Sequence, residues 1–406
     1  MTTSAKVDSE EANKSGIGKK NKQEKTVLIC GASIAGPALA LFLTRMQKSQ
    51  SQSDHNDVVY RPVVVERAPE LRLGGQNIDI EGPAQEAADL MGIGDGIREH
   101  RTAEEGLEFI GPDGSVSASF PMNSTGSMTK ELEILRGDLS KILYDKTTST
   151  AESECECECE YIFGDYVVAL EEKEEQVAVT FESGKKRNFD LIVAADGSRS
   201  KTRELLFGGE DLDEAVLKPL GLYIGFFTIP KCNKTDNNMA RWYNSTGSRV
   251  MVLRPDRLGT TIRAFVAFMS PPKSYERLPP NELKKVLTEI YKDAGWETDR
   301  VMKEMREADV YCDYVCQVKS ARWSIGRGVF LGDAAWSPTP LTGQGSSLAV
   351  VGAYVLAGEL CKHPHSHRDA FESYEAILRE HVETSQWIPP GLPGIMFPST
   401  SMGCGS

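Results

Sequence analysis

Apolar and polar positions follow two different periods along this chain, and their order predicts its architecture. Thr26–Cys30 is a short apolar run that meets a glycine segment at once, and Pro37–Arg45 follows with helix-forming composition, so the start reads as strand, tight turn and helix. A polar stretch rich in Ser, Gln and Asp (47–57) precedes a second apolar run, Val63–Val65, closed by Glu66; it reads as a surface insertion before a second parallel strand. Leu135, Leu139, Ile142 and Leu143 recur at helical spacing and predict a helix starting near Arg136. Tyr161–Leu170, Gln176–Phe181 and Leu191–Ala195 alternate or run apolar between turn residues, as strands closing a first domain.

From 205 to 310 the pattern changes. Gly221–Pro230, Arg249–Leu253 and Thr260–Phe268 are long β-type runs, and Pro280–Ala294 carries Leu283, Val286, Leu287 and Ile290 on one helical face. The chain then returns to the first pattern with Gly328–Asp333 and a small-residue helix, Ser346–Leu360. A discontinuous α/β domain interrupted by a separate sheet is the expected outcome.

Composition narrows the function. At 406 residues the chain can bury two or three packing units without disulfide or metal staples. A net charge of -13 with no long basic stripe argues against a nucleic-acid partner. The nine cysteines are odd in number and irregularly spaced, as expected of free thiols in a reducing, cytoplasmic setting. The first 25 residues are polar and charged, without the apolar core of a signal peptide, and are expected to form a disordered tail. No run of about 18 apolar residues occurs, so no membrane span is expected. Cys155, Cys157 and Cys159 alternate with Glu but lack Cys-x-x-Cys pairing; a solvated hairpin end is favoured over a metal site, and no metal is expected. With six histidines, three at 363–367 in an expected loop, a histidine-based site is disfavoured.

The candidate chemistry lies in three glycine segments. In Gly31-Ala-Ser-Ile-Ala-Gly36, Gly31 suits a tight turn after the first strand and Gly36 close packing of helix on sheet. The N-terminus of that helix, with Ser33, Ile34 and Ala35, would face a pyrophosphate. Ser33 stands where the middle glycine usually is, which weakens the motif taken alone. Glu66 at the end of the second strand can accept from ribose hydroxyls; the polar insertion accounts for its late position. Asp196-Gly197 and Gly332-Asp333, followed by Gly343-Gln344-Gly345, complete the set.

These segments, with Glu66-Arg67-Ala-Pro, Gly74-Gly75-Gln76-Asn-Ile-Asp-Ile, Leu135-Arg136-Gly-Asp-Leu and Pro340-Leu-Thr-Gly-Gln-Gly345, resemble the single-component FAD-dependent aromatic hydroxylases, the p-hydroxybenzoate hydroxylase fold. The resemblance covers about 26–385 and is nearest to the tetracycline-inactivating monooxygenases. It implies a Rossmann-like α/β FAD-binding domain (26–105, 130–204 and 311–362), an inserted mainly β substrate domain (106–129 and 205–310), and a C-terminal helix and Pro/Gly-rich tail (363–406). It assigns the flavin ribityl chain to Asp333 beside Gly332, ribityl or phosphate contacts to Arg136, and both FAD pyrophosphate and NADPH to Asp196 and Gly197. Gly343, Gln344, Gly345 and Ser346 would lie against the isoalloxazine, with Gly75 and Gln76 on the ring's other side and Pro340 lining the space above its C4a atom. Trp336 stands where the nearer kin often carry His, so no acid or base is assigned there.

The implied activity is a monooxygenase that takes electrons from NADPH or NADH, forms a C4a-hydroperoxide from O2, and oxygenates a small aromatic or polyketide-like substrate in secondary metabolism. Hydroxylation, Baeyer-Villiger insertion, and oxidase or dehydrogenase chemistry on the same fold stay open. So does oligomeric state. Tyr223, Phe226, Arg241, Arg263 and Phe265 could line the pocket or simply pack the sheet. A non-catalytic FAD-fold protein that binds a lipidated partner is the alternative from another class, disfavoured because the flavin-end segments are retained.

Overall fold

The apolar run Val27-Leu-Ile-Cys30 is buried on both faces, as a central parallel strand must be. A computed structural model describes residues 22–50, 58–122, 124, 132–149, 159–208, 215–232 and 234–400. In chain order the first half runs β1 (Gln23–Cys30), α1 (Ala35–Gln50), β2 (Val58–Glu66), β3 (Asn77–Asp79), α2 (Pro83–Leu90), α3 (Gly94–Glu99), β4 (Gly106–Ile110), β5 (Val116–Pro121), β6 (Glu133–Leu135) and α4 (Arg136–Thr148). Next come β7 (Glu160–Phe163), β8 (Val167–Glu172), β9 (Val177–Phe181), β10 (Lys186–Phe189), β11 (Leu191–Ala194) and α5 (Lys201–Leu206). The second half runs β12 (Ala215–Pro230), β13 (Ala240–Ser245), β14 (Arg249–Pro255), β15 (Thr261–Met269), α6 (Pro280–Tyr291), α7 (Thr298–Met305), β16 (Tyr311–Ser320), β17 (Ser324–Ile325), β18 (Gly328–Phe330), α8 (Asp333–Trp336), α9 (Gly345–Lys362) and α10 (His367–Ser385).

Two large sheets organise the molecule. The first, ordered β17-β18-β11-β1-β2-β7, is parallel except for its edge hairpin. Alternation along its strands splits its packing. Val27, Ile29 and Val64 join the core under α1, α9 and α10, while Leu28, Cys30, Val63 and Val65 face the three-stranded sheet β10-β9-β8. The second sheet, ordered β16-β12-β15-β14-β13-β4-β5, buries Tyr223, Phe227, Val266 and Phe268 beneath α6 and α7. Its other face carries Ile224, Phe226, Trp242, Val252 and Phe265, and meets Leu341 and Phe397 from the C-terminal part of the chain.

Several expectations shift. β1 starts at Gln23, inside the expected tail, because its polar end pairs with Val58–Tyr60. Residues 1–21 lie outside the described part. α1 continues to Gln50, so the supposed insertion begins as helix; residues 51–57 are outside the described part. The Cys/Glu alternation also falls outside it up to residue 158; Cys159 is buried and Glu160 opens β7. Of the strands expected to close the first domain, β7 and β11 join the large sheet and β8 to β10 form their own. The expected boundary put residue 311 in the cofactor domain. Residues 311–320 instead form β16, the edge of the second sheet, because they pair antiparallel with β12 on both sides of an irregularity at Pro219/Tyr223.

Candidate cofactor and substrate site

The β1–α1 turn is shaped by backbone collisions that only glycine avoids. Gly31 has φ 116°, and a Cβ there would overlap the Ala195 carbonyl; one on Gly36 would overlap the carbonyl of Gly31. The Gly31 N–H donates to the Val65 carbonyl at 2.8 Å, pinning the turn to the end of β2. There Glu66, 9% exposed, accepts from Ala32 N–H through Oε2 and from Ala68 N–H through Oε1, each at 3.0 Å. Arg67 points to solvent.

Arg136 heads α4, as the sequence predicted, and gathers the neighbouring loops. Its Nη1 donates to Ser33 Oγ at 2.8 Å, Nη2 donates to the carbonyl of Gly74, and its own N–H donates to the Gln76 carbonyl at 3.0 Å. Burial, and then nearby Arg72, lower its affinity for a proton, which leaves a guanidinium poorly compensated by anions. Gly75, at φ 141°, lies where a Cβ would overlap the Arg136 side chain. Ser33 therefore serves as a hydroxyl partner for Arg136, a role a glycine could not take.

Asp196 is committed locally. Its Oδ1 accepts from Ser200 Oγ, and Oδ2 accepts from Thr202 N–H at 3.1 Å and Thr202 Oγ1 at 3.0 Å, so the carboxylate braces the start of α5. Gly197 follows at φ 90°. Sequence reasoning passed over Arg203. It is 3% exposed and donates to the carbonyls of Ala334 at 2.7 Å and Ser198 at 3.0 Å, tying this segment to α8. The available signal was Ser200, three residues earlier, whose Oγ accepts from Arg203 N–H as an N-cap.

The third segment meets the start of α1. Gly332, at φ 62°, abuts the first residue of α1, so that a Cβ added to it would lie 3.0 Å from that of Ala35. Asp333 is solvent-accessible but ringed by protein. Desolvation pushes its carboxyl up to about 6, opposed by the Ser337 hydroxyl and reinforced by Asp313. Gly345, the first residue of α9, places a would-be Cβ 3.8 Å from Asp333 Oδ1. Pro340–Thr342 form a 3₁₀ turn ending at Gly343, φ 68°. Gln344 Nε2 reaches Glu81 Oε2 at 3.4 Å, and Ser347 Oγ donates to the Asp79 carbonyl at 2.9 Å. The 79–81 and 343–347 segments are thus in direct contact, and Ser346 is half-buried.

Of the residues considered for the pocket, Tyr223 is fully buried toward α6, and Arg241 is held by Asp236 at 2.6 Å and packed over Trp296. Both pack the second sheet. Phe226, Phe265 and Arg263 share the other face. Arg263 Nη1 donates to Thr228 Oγ1, while its buried Nε has no partner. Leu341, in the 3₁₀ turn, packs against this aromatic face and joins it to the Asp333 end of the candidate site. Among the described residues no cluster of His, Cys, Asp and Glu could hold a metal, and no helix is long and apolar enough to cross a membrane.

A two-sheet fold with a glycine-cornered turn, a carboxylate at the end of β2 and Asp333 beside the start of α9 matches an FAD-dependent monooxygenase architecture. The chain belongs to the FAD binding domain family, matching it over residues 24–385. It is 34% identical over 374 residues to FAD-dependent monooxygenase asL6 of Sarocladium schorii, covering 89% of this chain and 86% of that protein. It is also 34% identical over 362 residues to a flavin-dependent monooxygenase of Legionella longbeachae, at 89% and 86% coverage. Among solved structures, tetracycline destructase Tet(51) superposes with a TM-score of 0.76 at 30% identity, covering 89% of this chain and 88% of the other.

Proposed function

We propose that this enzyme takes electrons from NADPH or NADH and inserts one oxygen atom from O2 into a small aromatic or polyketide-like molecule of secondary metabolism. The observation that carries the reading is the join between the Asp333–Gly345 corner and the face bearing Phe226, Phe265 and Arg263, made by Leu341 in one short turn.

The residues present fit FAD. The cradle beside Gly31 and Gly36 admits backbone but no Cβ, and the N-terminus of α1, with Ser33, Ile34 and Ala35, offers N–H groups to the pyrophosphate. Glu66 keeps lone pairs for ribose hydroxyls beyond its two backbone bonds. Arg136, Gly75 and Gln76 would line the mid-region, with Asp196 and Gly197 near the phosphates through backbone because the Asp196 carboxylate is already used. Gly332 and Asp333 would receive the ribityl hydroxyls. When bound, FAD supplies electron storage and oxygen activation.

The chain's own groups do the rest. Gly343, Gln344, Gly345 and Ser346, at the start of α9, present N–H groups and the positive end of the helix dipole where negative charge collects. Pro340 and the aromatic face exclude water, and Arg263 Nε is free to hold an acidic phenol or enol oxygen of the substrate.

The test is donor oxidation by the flavin-loaded enzyme with NADPH and with NADH, across a panel of phenols, enolised polyketides and cyclic ketones. Substrate-stimulated oxidation by an aromatic or polyketide compound supports the reading; a rate indifferent to every compound sinks it. Preference for ketones with ester or lactone products would replace hydroxylation by Baeyer-Villiger insertion.

A further inference from the structure

A cavity of about 300 Å³ lies between the end of β16, the Trp323 loop, α8 and α10, and none of its lining residues belongs to the candidate cofactor site. Two of its lining residues carry buried polar atoms without a hydrogen-bond partner, Trp336 Nε1 and Ser320 Oγ, on side chains 1% and 7% exposed. Native interiors rarely leave such donors unmet. An indole N–H can only donate and a hydroxyl can do so as well, so both call for an acceptor.

The charge around the cavity favours the same partner. Arg379 is paired with Glu375 and Glu383 and donates to the Ala321 carbonyl at 2.9 Å, which leaves Lys319 as the lining cation without a carboxylate partner among the described residues. The Arg379 guanidinium sits 4.8 Å from the Trp323 ring centre, and Trp323 and Trp336 have ring centres 4.4 Å apart. Val382 completes an apolar wall. Gln386 Nε2 is already engaged by the Val318 carbonyl at 2.6 Å. The volume matches the lower end of small-molecule sites.

We propose that this cavity binds a small organic carboxylate with a flat apolar body, its oxygens accepting from Trp336 Nε1 and Ser320 Oγ and its ring lying against the tryptophan wall. This is a binding site separate from oxygenation, and its test is independent of turnover.

The experiment uses the flavin-loaded full chain labelled with ¹⁵N at its five tryptophans and titrated with benzoate, benzamide and chloride. The peak absent from Trp336→Phe identifies the Trp336 indole. Benzoate is expected to shift that peak saturably, with benzamide and chloride leaving it in place. Ser320→Ala, which preserves the ring packing, is expected to weaken the benzoate midpoint by roughly tenfold, the loss of one hydrogen bond to a charged group. If Trp336→Phe does not fold, the Ser320→Ala comparison decides alone, because benzoate held in the substrate site would be indifferent to Ser320. The proposal is overturned if no indole responds, which would leave the cavity to water. It is overturned equally if benzamide or chloride acts as benzoate does, if the responding indole survives in Trp336→Phe, or if Ser320→Ala leaves the midpoint unchanged.

Discussion

The two ends of the candidate cofactor site are built on opposite principles. At the Glu66 end the polar groups satisfy one another: Glu66 holds two backbone N–H groups, and Arg136 holds Ser33 and the 74–76 loop. At the Asp333 end the carboxyl has a solvent-accessible side and a raised proton affinity, and the helix start at Gly345 stands beside it. The first end is held together by bonds between protein groups. The second keeps polar capacity that only a ligand, or water, can use. In the proposed reading, pre-organised groups would hold the nucleotide part, and the reactive part would be received by groups whose energetics change on binding.

The comparison breaks most sharply at Gly36. Gly36→Val puts side-chain atoms into the Gly31 carbonyl and separates α1 from β1, so the variant is expected to lose both cooperative melting and the flavin absorbance band, an effect above about 4 kcal/mol. Calorimetry with a visible spectrum checks it, and a stable yellow variant would mean the turn tolerates a gap. Asp333→Ala comes next. It should fold normally but weaken FAD by about a hundredfold in fluorescence titration, on the scale of a charged hydrogen-bonding group lost from a ligand site. Unchanged affinity would remove Asp333 from the ribityl chain.

Arg263→Met is expected to leave FAD affinity intact and to raise KM for acidic substrates by about tenfold, because only the substrate side loses a donor. Equal loss of FAD would place Arg263 on the wrong side of the division. The smallest effect concerns pH. The Asp333 carboxyl in the folded flavin-free protein sits at about 6, above its ordinary 3.8, so the folded state holds the proton more tightly. Flavin-free protein should therefore lose a little stability as pH rises from about 4 to about 6 and no more from this group above that. Asp333→Asn should lack this slope in chemical denaturation, and an identical pH profile would contradict the assignment.

The Rossmann-like α/β domain with an inserted sheet was legible because its corners are imposed by backbone. Gly31 and Gly36 stand where any side chain collides, the helix at Arg136 begins where its spacing begins, and the apolar run of β1 is buried on both sides. The substrate half was less legible because its assembly depends on long-range pairing. β16 alternates polar and apolar residues as many strands would, and only its register with β12 puts it in the second sheet. Arg203 was missed because a helical arginine ordinarily faces water, whereas this one is buried between two carbonyls. The sequence marked Phe226 and Phe265 only as residues that could line the pocket or pack the sheet; that they share a face, and that this face meets Leu341, follows from tertiary packing alone.

The most direct test of the central claim is turnover under ¹⁸O2 with the best substrate from the panel and mass detection of the product. One labelled oxygen atom in each product molecule, with donor consumed in proportion, is the predicted result. Product without label, or donor oxidation that yields only hydrogen peroxide, would contradict it.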